Sequence, residues 1–121
     1  MAEPHLKFLV WMGSSLKDFR LFPDEVKSDM GYALFLAQSG TRHRKAKTFK
    51  GTGDAGVVEI VTDHRGDTFR TIYTVRFASA LYVLHAFQKK SKAGIATPKT
   101  DIRLIEQRLR EAERLHMEND I

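Results

Sequence analysis

Cysteine is absent from the 121 residues, which excludes disulfides and thiolate metal sites. The five histidines, His5, His43, His64, His85 and His116, are scattered, with no HExxH motif and no i,i+4 pair to hold zinc. No apolar run approaches membrane-spanning length. The run Leu6–Met12 is broken by Lys7, and no basic start followed by a long apolar core marks a secretory leader. Gly51, Gly53 and Gly56 lack the P-loop spacing, and no Gly-Lys-Ser/Thr follows them, so they read as a flexible turn. Internal repeats and low-complexity tracts are missing too. What is present, 42% hydrophobic and 29% charged residues, fits one globular domain over residues 1–121. The expectation is a cytoplasmic protein with no membrane contact, metal or cofactor.

The net charge of +5 is unevenly placed. Residues 1–40 hold four Lys/Arg against five Asp/Glu, residues 41–92 eleven against four, and residues 93–121 five against six. The basic excess therefore lies in the middle, where a nucleic-acid footprint or a solubilising face would sit.

Leu6–Met12 reads as a first strand, ended by Gly13, with Ser14 or Ser15 available to cap a short helix carrying Leu16, Phe19 and Phe22. Pro23 interrupts, and Asp24 offers a fresh N-cap for a second helix whose buried stripe is Val26, Met30, Ala33, Leu34 and Ala37. Gly31 inside that helix predicts close packing at that point. Thr41–Gly56 is a basic loop with one short strand around Thr48-Phe49. Val57–Thr62 is the next strand, and Asp63–Asp67 turns into the central hairpin. Thr97 as N-cap and Pro98 at the first helical position open a last helix with the stripe Ile102, Ile105, Leu109 and Ala112. Glu106 and Arg110 are spaced for an i,i+4 pair, and fraying is expected from His116. Runs of helix and strand, not strict alternation, predict α+β: a small, mostly antiparallel sheet covered by an N-terminal helical hairpin and a C-terminal helix.

The central stretch, Asp67–Lys92, carries the candidate chemistry. Alternation puts Phe69, Thr71, Tyr73, Val75 and Phe77 on one face, and Arg70, Ile72, Thr74 and Arg76 on the other. A turn at Ala78–Ala80 leads to Leu81–Phe87, and Lys89, Lys90 and Lys92 follow at the strand exit. Fixed cations on a rigid sheet suit a phosphate-bearing ligand. His85 shares parity with Leu81 and Val83, and reads equally as a hydrogen-bonded core histidine or a proton-transfer group. Glu59, in a strand, reads as a solvent-facing residue or the partner of a neighbouring Arg.

EIV at 59–61, FRTIY at 69–73 and VLHAFQKKSKAGIATPKTDI at 83–102 resemble the phage-derived, HigB-like branch of the RelE/ParE toxin superfamily, whose members carry an LLHxFxKK-type strand before a TP-headed helix. The resemblance implies a compact toxin fold and metal-independent cleavage of messenger RNA in the ribosomal A site. There the RNA 2′-OH attacks the adjacent phosphorus and leaves a 2′,3′-cyclic phosphate. It implies Arg70 as the phosphate-holding residue, with Tyr73 beside it. Lys90, with Lys89 as neighbour, would stabilise charge or act as acid, and His85 or Lys50 would assist proton transfer. Lys47 and Lys92 would add substrate contacts, and the basic middle would grip ribosomal RNA. The implied partner is a small helix-turn-helix antitoxin. Val61 departs from the family, which often has Arg there, and LHAF replaces the commoner LHGF. A non-catalytic binding module and a DNA gyrase inhibitor remain the alternatives.

Overall fold

The computed structural model describes residues 5–89 and 97–119. Lys90 and Lys92 lie outside them. Five strands form one sheet: β1 (Phe8–Trp11), β2 (Lys47–Thr48), β3 (Val57–His64), β4 (Asp67–Thr74) and β5 (Ala80–Lys89), in the order β1-β5-β4-β3-β2. Only β1–β5 is parallel; the other neighbours are antiparallel. α1 (Ser15–Arg20) and α2 (Asp24–Gln38) make the helical hairpin, and α3 (Lys99–Asn119) closes the chain.

The sheet is covered on both faces, so its strands are buried along most of their length. On one face Phe19, Phe22, Val26, Met30 and Leu34 pack against Val58, Ile60, Phe69, Tyr73, Leu81 and Val83. On the other, Ile105, Leu109 and Ala112 of α3 pack against Val57, Ile72, Tyr82 and Leu84, with Phe49 beside them. The stripe that sequence periodicity marks on α2 is the buried one, and so is that on α3 except for Ile102, which is partly buried. Truncating a large member such as Met30 or Ile105 to Ala would cost about 2–5 kcal/mol.

Local differences have identifiable causes. α2 starts one residue earlier than an Asp24 cap implies: Lys27 N–H bonds the Pro23 carbonyl at 2.9 Å, leaving Asp24 in the first turn. Ser14 Oγ bonds Asp18 Oδ2 at 2.8 Å, while Ser15 is buried and donates to the Val83 carbonyl at 3.3 Å. Gly31 is exposed, with nothing within 4 Å of a Cβ placed on it, so it has no close packing inside the chain. α3 does not fray at His116, because Tyr82 Oη and His116 Nδ1 meet at 3.1 Å and Phe77 packs on the His116 ring. Phe77 thereby joins the α3 face, the turn having taken it away from Phe69 and Tyr73. Among the described residues Glu106 and Arg110 form no ion pair; Arg114 instead bonds Glu111 and Glu118.

Candidate phosphate-binding face

β3 and β4 pair so that Glu59 stands opposite Ile72 and Val61 opposite Arg70, while Lys47 of β2 stands opposite Glu59. Side chains alternate across a strand, which brings Lys47, Glu59 and Arg70 to the face that α3 covers. Glu59 is only 7% exposed. Its Oε2 lies 3.2 Å from Arg70 Nη1 and its Oε1 3.7 Å from Lys47 Nζ. Arg70 Nη1 also donates to Thr97 Oγ1 at 3.3 Å. The Thr97 hydroxyl therefore holds the guanidinium, and the first i→i−4 bond of the helix, Ile102 N–H to the Pro98 carbonyl at 3.1 Å, starts one residue later. Among the described residues, Arg70 Nε is buried without a hydrogen-bond partner.

Lys89 reaches the same neighbourhood from β5. Its amine is held below the ordinary lysine value, first by partial desolvation and then by the Arg70 charge, with Glu59 pulling the other way. Beside the Glu59–Arg70 pair a cleft of about 280 Å³ opens between Phe49, Lys50, Gly51, Thr97 and Ile102. Arg70, Lys47 and Lys89 thus act on one buried carboxylate, and Lys50 lines the cleft beside it. A planar guanidinium on the wall of an open cleft, with amines near it, can grip and neutralise a phosphodiester.

His85 and Tyr73 are placed otherwise. The β4–β5 register shifts between Ile72 and Tyr73, which pair with His85 and Val83 and skip Leu84. The shift moves His85 off the face shared by Leu81 and Val83, so simple parity misplaces it. His85 Nε2 bonds Asp101 Oδ1 at 2.8 Å and its ring stacks on Phe87 at 4.6 Å. Its Nδ1 faces Arg108 Nη1 at 3.5 Å, and the same Nη1 donates to the Leu84 carbonyl at 2.9 Å. Burial holds the imidazole below its ordinary value despite Asp101. A neutral ring that donates from Nε2 and accepts at Nδ1 fits both neighbours, and fastens α3 to the sheet. The ring borders a different cleft, of about 410 Å³, with Asp18, Leu21 and Phe22. Tyr73 lies on the opposite face in the α2 core, its hydroxyl buried and unpartnered, its phenol pushed up to about 12 by desolvation with Arg42 acting in reverse. It does not join the cationic group.

Glu59 is the site residue that strand alternation alone undervalues. The available signal was a carboxylate inside an apolar strand with Arg70 eleven residues on, across a hairpin turn.

The family model for the Gp49-like, phage-derived proteins matches residues 17–110. The chain belongs to the Gp49-like, phage-derived family. A solved structure of the E. coli toxin RelE, a doubly substituted form in the free state, is similar with a TM-score of 0.51 and 18% identity, over 67% of this chain and 81% of that one. At that identity the likeness concerns the fold, and the α+β architecture of this Gp49-like chain is the RelE fold. A comparison with curated proteins gives no match. Among the described residues no helix is long and apolar enough to cross a membrane.

Proposed function

We propose that this Gp49-like chain is the toxin of a toxin–antitoxin pair and cleaves messenger RNA on the ribosome. The observation that carries the reading is the convergence of Lys47, Arg70 and Lys89 on Glu59, beside a cleft that Lys50 and Thr97 help to line. In the proposed reaction the RNA 2′-oxygen bonds to the adjacent phosphorus and the P–O5′ bond breaks, giving a 2′,3′-cyclic phosphate and a 5′-OH. Arg70 holds the non-bridging oxygens as negative charge builds on them. Glu59 keeps the guanidinium in place and, as a carboxylate lining the cleft, accepts the 2′-OH proton. Lys89, Lys50 or the adjoining Lys90 protonates the departing 5′-oxygen, and Lys47 and Lys92 contact flanking phosphates. His85 acts through α3: proton transfer from its ring would require Asp101 or Arg108 to let go. Ribosomal RNA supplies the remaining orientation of the substrate. A small helix-turn-helix antitoxin covers the cationic face and neutralises it.

A second reading, a family member that binds RNA or antitoxin without cleaving, draws on Val61. An apolar residue directly opposite Arg70 leaves the phosphate one cation short of what relatives often supply. The test is induced expression with primer-extension mapping of a translated messenger, in wild type and Arg70→Gln, with solubility checked in parallel. Cuts within the translated region that vanish in the variant support the nuclease. Folded protein with salt-sensitive RNA binding but no cuts and no growth arrest supports the binding module. Growth arrest without cuts points to gyrase.

A further inference from the structure

Among the described glycines, Gly13, Gly40, Gly53 and Gly66 have positive φ, and a Cβ on Gly51 or Gly56 would come within 2.6 Å of Phe49 or 3.1 Å of Arg76. Gly31 has neither reason. It sits at the midpoint of α2, Asp24–Gln38, on the face turned away from the sheet. Glycine there costs about 1 kcal/mol of helix propensity against Ala, and no packing within the chain offsets it. On the same outer face Tyr32 and Phe35 are 56% and 48% exposed, and Ser28 lies one turn earlier. A spot without a side chain beside two exposed aromatic rings, one of them (Tyr32) set edge-on against His43 at 5.8 Å, lets the backbone of a second helix approach closely.

Charge at the two ends of α2 selects the occupant. The N-terminal end carries Asp24 and Glu25, whose side chains are 99% and 80% exposed and whose contacts with Lys27 at 3.2 Å and His64 at 3.4 Å are surface pairs, weak enough to be exchanged for a partner's cations. At the C-terminal end Lys7 and Arg42 flank a cleft with Ala37, Gly40, Thr41 and Val75, and neither side chain has an ion-pair partner among the described residues. A surface acidic at one end, basic at the other and empty in the middle is self-complementary under a two-fold axis through the middle. We propose that the outer face of α2 is the contact between two copies of this chain, packed antiparallel about Gly31. Asp24 and Glu25 of each copy meet Lys7 and Arg42 of the other, the two helix dipoles oppose, and the aromatic rings close over the Gly31 crossing. The cationic face beneath α3 stays open in this arrangement, so the contact is independent of the nuclease reading.

Sedimentation of the full chain from about 5 to 500 µM tests it, a range suited to a contact at the small end of specific interfaces. The average mass should rise from 13.8 kDa toward twice that value, and should do so less at high salt. Gly31→Glu should stay monomeric with an unchanged far-ultraviolet spectrum, because the position is open in a single copy; Phe35→Glu should weaken association at least ten-fold. Lys7→Glu with Arg42→Glu should also weaken it, and adding Asp24→Lys with Glu25→Lys should restore it. A mass fixed at one chain across the range overturns the proposal. So does association that Gly31→Glu leaves unchanged. A chain that stays single but loses antitoxin binding on Gly31→Glu likewise overturns it, and gives the face to the antitoxin.

Discussion

Breaking the Glu59–Arg70 pair from one side should cost more stability than removing both charges. At 3.2 Å and an effective dielectric of 20, the attraction between the two charges is about 5 kcal/mol. The desolvation of two largely buried ions, with side-chain exposures of 9% and 16%, offsets most of it. Arg70→Met leaves the Glu59 carboxylate buried with the more exposed Lys47, at 3.7 Å, and the charge of Lys89, and should cost about 3 kcal/mol. Glu59→Gln should cost about 2 kcal/mol, since the stranded guanidinium keeps Thr97 and is less deeply buried. The double variant should lie within about 1 kcal/mol of the starting protein, giving a coupling energy of about 4 kcal/mol or more. Urea unfolding of the four proteins at pH 7, followed by circular dichroism, measures each value. Additivity within about 0.5 kcal/mol would refute the reasoning. The cycle also separates folding from function: the stable double variant should still lack toxicity, because the phosphate-holding guanidinium is gone.

Tyr73→Phe removes a buried hydroxyl that has no partner, so stability should hold or rise by up to about 1 kcal/mol; a loss above 1 kcal/mol in urea would show that the hydroxyl is satisfied. Burial lowers the His85 pKa, so the unfolded chain takes up the proton first. This contribution to stability should be complete above the unfolded value of about 6.5, fall as pH drops from there to the folded pKa, and fall no further below it. The slope of stability against pH across that window should be shallower in His85→Asn; an equal slope would assign it elsewhere. Arg108→Met loses the bonds to the Leu84 carbonyl and Ser14 Oγ, at 2.9 and 3.1 Å, and should cost about 1–3 kcal/mol. Faster hydrogen exchange confined to the α3 amides would accompany the loss, and uniform exchange would contradict a helix-fastening role.

The sequence by itself determined the element types and their order, because apolar spacing of 2 or of 3 and 4 reports which sides of a strand or helix leave water. The buried stripes of α2 and α3, the alternation of Phe69, Thr71 and Tyr73, and the basic middle are all local properties. The resemblance to RelE-like toxins was legible in the strand-to-helix stretch 83–102 because its order of apolar strand, cations and Thr-Pro is contiguous. Three things depended on contacts between segments far apart in the chain. The skipped residue at Leu84 reverses the face of His85, and it is a property of the register between β4 and β5. Thr97 has the composition of a helix cap, but Arg70, twenty-seven positions away, takes its hydroxyl. Glu59 read as solvent-facing or as the partner of a neighbouring Arg, and only the pairing of β3 with β2 and β4 decided for the second, burying it between Lys47 and Arg70. Register, burial and the convergence of charges are non-local quantities, so they were decided only when the sheet closed.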